Sequence, residues 1–164
     1  MLRRLALNRW LALAVCVVLV GVVALELQRL TDDRGGGLPS APVASRDVAR
    51  DFAVAVTSFD HKRIDADLDR VLAYGTPGFE REFRAAMGAD FVDAIKTNRR
   101  VSTGHVVVGP TVQRVADGRA SYLVVVSQQV VSEGSDEPAQ QVRVAMLVSV
   151  STSAAPKVES VQVL

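Results

Sequence analysis

A chain of 164 residues has room for one ordinary domain and a shorter segment, and is too short for two domains with good cores. From residue 35 onward fifteen acids stand against fourteen bases, and so even a balance argues against a nucleic-acid surface. The single cysteine, Cys16, lies in an apolar N-terminal run, which leaves the remainder without an internal disulfide, a cysteine metal site or a cysteine nucleophile.

Residues 10–25, WLALAVCVVLVGVVAL, hold no charge and no strong helix breaker. Continued to Leu30, the run reaches about 20 residues, enough for a helix to cross a hydrocarbon core of about 30 Å. Glu26 and Arg29 must then lie at the outer interface. Arg3, Arg4 and Arg9 precede the span with no acid among them. The positive-inside rule therefore predicts a cytoplasmic basic tip over 1–9, a transmembrane helix over 10–30 and the rest outside. Two alternatives compete with an anchor. A cleaved signal peptide shares the basic start, and Val22-Val23-Ala24 loosely fits small-residue cleavage, but the apolar run is long for one. Lipidation of Cys16 is disfavoured by Val15 before it and by the apolar residues that continue past it.

Residues 31–44 read as a flexible tether, because Gly35, Gly36 and Gly37 are costly to order and Pro39 and Pro42 interrupt a helix. The outer domain is expected over 45–164. Ser45 is the expected N-cap of a first helix, in which Val48, Phe52, Val56 and Phe59 recur at three to four residues. A break follows, then a short helix with Ile64, Leu68, Val71 and Leu72 on one stripe. Gly75-Thr76-Pro77-Gly78 punctuates the chain, with Thr76 placed to cap and Pro77 at the first helical position. Phe79, Phe83, Met87, Phe91 and Ile95 then draw the stripe of a third helix.

Past Thr97 the period changes to that of strands. Strands are predicted over 101–108 and 111–115, interrupted by Gly109-Pro110, and over 120–131 after an Asp117-Gly118 hairpin turn. Residues 132–140 read as a loop, 142–150 alternate with a two-residue period, 151–156 form another loop, and 158–163 close the chain as a strand. The expected class is α+β, with the helices packed on an antiparallel sheet of about four strands. All five phenylalanines lie in the helical half, so rings from the helices are expected to fill the concave side of a valine-rich sheet.

Chemistry is sparse. His61, near Asp60, Asp65 and Asp67, is the one conceivable acid–base constellation, yet it falls at a charged helix break and is read as solvated or capping. His105 is read as a core or edge histidine on the side of Val101 and Val107. Asp65, Asp67 and Asp69 imitate the start of a calcium loop, but Arg70 and Thr76 stand where it requires Gly and Glu, so they read as a solvated helix face. Arg99-Arg100 reads as a solvated corner. No catalytic residue, cofactor-binding residue or metal ligand is predicted, and no enzymatic activity is expected. The space between helices and sheet is expected to be filled by side chains, with a lipid-holding cavity as the alternative.

The order of elements carries a resemblance. The single span, the segment ARDFAVAVTSFDHKRIDADLDRVLAYGTPGFEREF, the segment VSTGHVVVGPTVQRVADGRASYLVVVSQQV and the strand QQVRVAMLVSV resemble the Mce-associated membrane proteins of actinobacteria. Ala49, Ala53, Thr57, Ser58, Phe59 and Asp60 match that family's helix ending in Thr-Ser-tyrosine/phenylalanine-Asp, and Leu68 to Leu72 its next short helix. The resemblance departs at Ser153–Lys157, where such proteins carry a Gly-x-Trp turn. It implies an NTF2-like, cystatin-like cone related to the VirB8 group. It also implies an accessory or scaffolding subunit of an Mce-type lipid or sterol import complex, with Mce-type subunits as partners. A lipid-binding module and a VirB8-like secretion component are the alternatives.

Overall fold

The structure, a computed structural model, describes residues 40–136 and 138–164. The predicted basic tip 1–9, span 10–30 and first nine tether residues lie outside the described residues. Among the described residues no helix is long and apolar enough to cross a membrane.

Helix α1 runs Val43–Thr57, with Pro42 as its N-cap. The expected cap at Ser45 is corrected: the helix starts two residues earlier, and the buried Ser45 Oγ donates to Pro42 O at 2.8 Å. Its core face is Ser45, Ala49, Phe52 and Ala53, with Val48 and Val56 only half-buried at its margins. The predicted stripe was therefore off-centre. Alanines at the middle of the face let the helix axis lie close to the sheet, and the ring of Phe52 fills the space between them.

Phe59 does not extend α1. It enters a two-residue strand, β1 (Phe59–Asp60), that pairs antiparallel with Val101 and Ser102. Helix α2 (Ile64–Leu72) buries Ile64, Val71 and Leu72 as expected. It also buries Asp67, which corrects the reading of a wholly solvated acidic face. Helix α3 (Pro77–Thr97) is capped by Thr76, whose Oγ1 accepts from Phe79 N at 3.3 Å. Phe79, Phe83 and Ile95 are buried, and Phe79 meets Phe52 edge-on at 5.5 Å.

The sheet is a five-stranded antiparallel meander in the order β1-β2-β3-β4-β5, curved around the helices. The long strands are β2 (Arg100–Ala116), β3 (Arg119–Ser132), β4 (Gln140–Ser151) and β5 (Val158–Val163). The predicted break at Gly109-Pro110 is not a strand end. The cis Gly109–Pro110 bond lies within β2, whose pairing to β3 shifts register between Val106 and Val108, Val108 and Thr111, and Val112 and Arg114. Such bulges add twist and bend to a strand while it stays in its sheet. Gly109 is required there, since its φ is +85° and a Cβ would stand 2.3 Å from Leu123 O. Asp117 and Gly118, with φ of 53° and 72°, make the predicted two-residue turn, the positive pair that a type I′ hairpin needs.

Tyr122, Val124, Val126, Met146, Val148, Val150 and Val158 line the inner face of the sheet against Phe52, Phe79 and Phe83. The expected complement of helical rings and sheet valines is thus how the core is built. A valine face is shallow and regular, so the large rings come from the helices. At the far edge, β5 is tied to the α2–α3 junction by Thr76 N to Val158 O and Val158 N to Tyr74 O, both 2.8 Å.

Candidate functional site

Several buried polar groups converge around residues 57–61, and each residue of this run has a distinct mechanical job. The carbonyl of Thr57 ends α1 and accepts from Ser102 Oγ at 2.7 Å and Gln128 Nε2 at 3.2 Å. Gln128 Nε2 also donates to Ser102 Oγ at 2.8 Å. This buried trio satisfies a helix-terminal carbonyl that water does not reach, as a buried helix end requires. Ser58 Oγ accepts from Gly104 N at 2.9 Å, on the stretch of β2 just beyond the reach of β1. Phe59 sets its ring edge-on to Phe91 at 6.4 Å. Asp60 N donates to Asp67 Oδ2 at 2.9 Å, and Asp67 Oδ1 lies 3.1 Å from Arg70 Nη2. The Thr-Ser-Phe-Asp run is therefore a junction that welds α1 to the sheet and to α2. The burial of Asp67 follows from this bond and its ion pair, for a carboxylate is kept inside only when it is paired.

Next to the junction is a charged corner. His61 is not solvated as predicted; its side chain is only 11% exposed, and its backbone N donates to Arg100 O at 3.0 Å. Its Nδ1 stands 3.5 Å from Asp60 Oδ1 and its Nε2 3.7 Å from Glu133 Oε2. Glu133 also receives Lys62 Nζ at 2.9 Å and faces Arg99 Nη2 at 3.6 Å. The carboxyl of Glu133 is held below its ordinary value of 4.5 by the hydrogen bond from Lys62, then by the positive charges of Lys62, His61 and Arg99, with desolvation opposing them. Arg99, with φ of 48°, ends α3 in the left-handed region, and its carbonyl accepts from Glu133 N at 2.9 Å. Arg99 is thus a bridge as well as a solvated corner residue. Glu133 had no signal in the sequence; it lies in the loop after β3, 71 residues from Lys62.

The remaining candidates are dispersed. His105 is exposed on the outer face of the sheet, opposite Ser127, while the core side of that stretch is taken by Ser102 and Gly104. The expected edge position holds and the core position does not. Asp65 pairs with Lys96 at 3.0 Å and Asp69 lies 3.7 Å from Arg84, both at the surface. Among the described residues no group of three or more His, Cys, Asp or Glu can hold a metal ion. A cleft between the helices, lined by Val56, Phe59, Leu68, Met87 and Phe91 among others, has a volume of about 20 Å³. That is room for about one water, not for an acyl chain. On the outer face of the sheet, opposite the helices, Leu123, Val125, Ala145 and Leu147 are half-buried, and Val107 and Val108 are 44% and 52% exposed.

Solved structures share this architecture. An IcmL-like type IV secretion system protein from Legionella pneumophila matches with a TM-score of 0.64 at 11% identity, over 78% of this chain and 94% of that one. The periplasmic domain of DotI matches with a TM-score of 0.60 at 16% identity, over 79% of this chain and 99% of that one. CagV of Helicobacter pylori, a VirB8 homolog of its type IV secretion system, matches with a TM-score of 0.59 at 9% identity, over 74% and 97% respectively. At these identities the likeness is one of fold: helices on a curved antiparallel sheet, as in VirB8-type periplasmic domains. No curated protein sequence matches the chain. A family model does, over residues 9–162, which takes in the apolar N-terminal run as well as almost all of the domain, and the chain belongs to the family described as "Uncharacterized protein Rv1363c/MT1408-like".

Proposed function

We propose that the protein is a non-catalytic assembly subunit of a multi-protein complex in the cell envelope, held to the membrane by residues 10–30. The observation that carries the reading is the likeness to VirB8-type domains, which extends over almost the full length of each of those domains. The polar groups of the domain support it too. They are spent on joining elements: Thr57 and Ser58 weld α1 to the sheet, Asp60 ties β1 to α2, and Glu133 is engaged by Lys62 and Arg99. In this reading the N-terminus is cytoplasmic, the predicted tether of 31–44 is cut back to 31–42 by the start of α1 at Val43, and the domain stands outside the membrane, where its surfaces are free to meet other subunits.

A secretion-type assembly, the role named for the structural relatives, is favoured over an Mce-type lipid import complex. The import reading rests on the resemblance over Ala49–Asp60 and its following helix. Within either complex a scaffolding role is favoured over lipid carriage, because the cleft of about 20 Å³ between the helices would have to open widely to admit a chain.

Crosslinking of the full-length protein in native membranes, followed by purification under denaturing conditions, tests the proposal. Recovery of a reproducible set of envelope-complex subunits is the expected result, and their identity separates secretion from import. Recovery of the protein without any partner subunit, with lipid retained in native mass spectrometry, would overturn it in favour of the lipid-binding alternative.

A further inference from the structure

His61 carries a polar atom that the fold leaves unserved. Its Nδ1 is buried without a hydrogen-bond partner, and native folds seldom leave such an atom so. The two ring nitrogens each face a carboxylate, Asp60 Oδ1 at 3.5 Å and Glu133 Oε2 at 3.7 Å. A neutral imidazole has one N–H and one lone pair, so in either tautomer one carboxylate meets a lone pair. The imidazolium has two N–H groups, and both carboxylates then meet a donor. The distances are just beyond hydrogen-bonding range, so a small closure of the corner completes both bonds.

The other charged groups around the ring bear on this. Lys62 and Arg99 both lie on Glu133, and both are 59% exposed, so solvent and salt screen their repulsion of a charged ring. Arg100 offers the ring's residue only its carbonyl, which accepts from His61 N. The three segments that meet here are the β1 end, the α3–β2 junction and the turn after β3.

We propose that His61 is a proton-operated latch. Charged, it fastens Glu133, in the turn after β3, to Asp60 on β1. Neutral, it releases one of the two carboxylates and leaves the turn to Lys62, Arg99 and the Glu133 N to Arg99 O bond. External acidity thereby sets how firmly the turn after β3 is held to β1 and to the end of α3. That would alter the shape of this end of the domain without altering its core.

Hydrogen exchange of the full-length chain in detergent, at pH 5.5 and 7.5 and corrected for the intrinsic pH dependence of exchange, reads the latch. The Glu133 and Ser135 amides, which donate to Arg99 O and Ser132 O, are expected to be about fivefold better protected at the lower pH, the factor of one net hydrogen bond. His61→Gln and Glu133→Gln should each abolish that ratio, and His105→Gln should leave it unchanged. Equal protection of the wild-type amides at the two pH values would overturn the proposal, and so would a ratio that survives His61→Gln. Should His61→Gln fail to fold, Glu133→Gln decides: its residue is in a surface turn, and a surviving ratio there is equally fatal.

Discussion

Ser45 Oγ and Tyr122 OH lie 2.6 Å apart, 77 residues distant in the chain and both wholly buried. The direction of this bond can be deduced. Ser45 spends its only hydroxyl proton on Pro42 O at 2.8 Å, and a carbonyl can only accept. Tyr122 is therefore the donor, and Ser45 relays the first turn of α1 to the centre of the sheet.

The two partners should consequently respond unequally to substitution. Ser45→Ala strands the buried Tyr122 hydroxyl and is expected to cost about 2 kcal/mol, whereas Tyr122→Phe leaves Ser45 its bond to Pro42 and should cost about 1 kcal/mol. In the double variant the loss should fall short of the sum, because the stranded hydroxyl is gone. Urea unfolding of the full-length protein measures all three. Equal losses that add would contradict the assigned direction.

At Gly104 the end of α1 lies hard against the sheet. A Cβ there would lie 2.0 Å from Thr57 Oγ1 and 2.8 Å from Thr57 Cβ. Thr57 cannot swing away cheaply, since its Oγ1 donates to Ala53 O at 2.7 Å. Gly104→Ala is expected to destabilise the protein by about 2–3 kcal/mol, the scale of core overpacking. Thr57→Ala should recover part of that loss in the double variant. A thermal melt in which Gly104→Ala matches wild type would show that the helix end has room to retreat.

Acid should act on Glu133 with a definite sign. Its carboxyl is held below the ordinary 4.5, first by the Lys62 hydrogen bond. A depressed carboxyl contributes stability that is present above the unfolded value and is lost as the pH falls through the folded one. Melting temperature measured from pH 6 downward should thus fall more steeply below about 4.5 for wild type than for Glu133→Gln. Because a third of the Glu133 side chain is exposed, added salt should shrink the difference. Parallel curves for the two proteins would exclude Glu133 from the acid response.

Local rules carried the helix and strand assignments, and they did so where a residue's role is set by near neighbours. The Thr76-Pro77 start of α3, the Asp117-Gly118 turn and the alternation along β4 all read directly, since capping, φ preference and period are properties of a few adjacent residues. The Gly109-Pro110 pair misled because the same backbone preference that ends a strand can also bulge one. Only the pairing of Val108 with Val125 and Thr111 with Leu123 distinguishes the two outcomes.

The corner and the junction were legible only as isolated polar residues. Asp67 looks like its neighbours Asp65 and Asp69 until the backbone N of Asp60 is brought to it. His61 looks solvated until Glu133, 72 positions away, closes over it. In each case the decisive partner comes from another element, and no periodicity records it.

What the sequence determined by itself is therefore the three helices, the long strands other than the continuity of β2, and most of the inward faces, together with the apolar run over 10–30 that predicts a membrane anchor. Those follow from hydrophobic period, capping and turn chemistry, which act over a few residues. The tertiary structure alone decided which polar groups are buried and what they join, because burial of a hydroxyl, a carboxylate or an imidazole is tolerable only where the fold delivers a partner. Thr57, Ser58 and Asp60 have theirs in Gln128, Gly104 and Asp67; for His61 the fold delivers two carboxylates, at 3.5 and 3.7 Å.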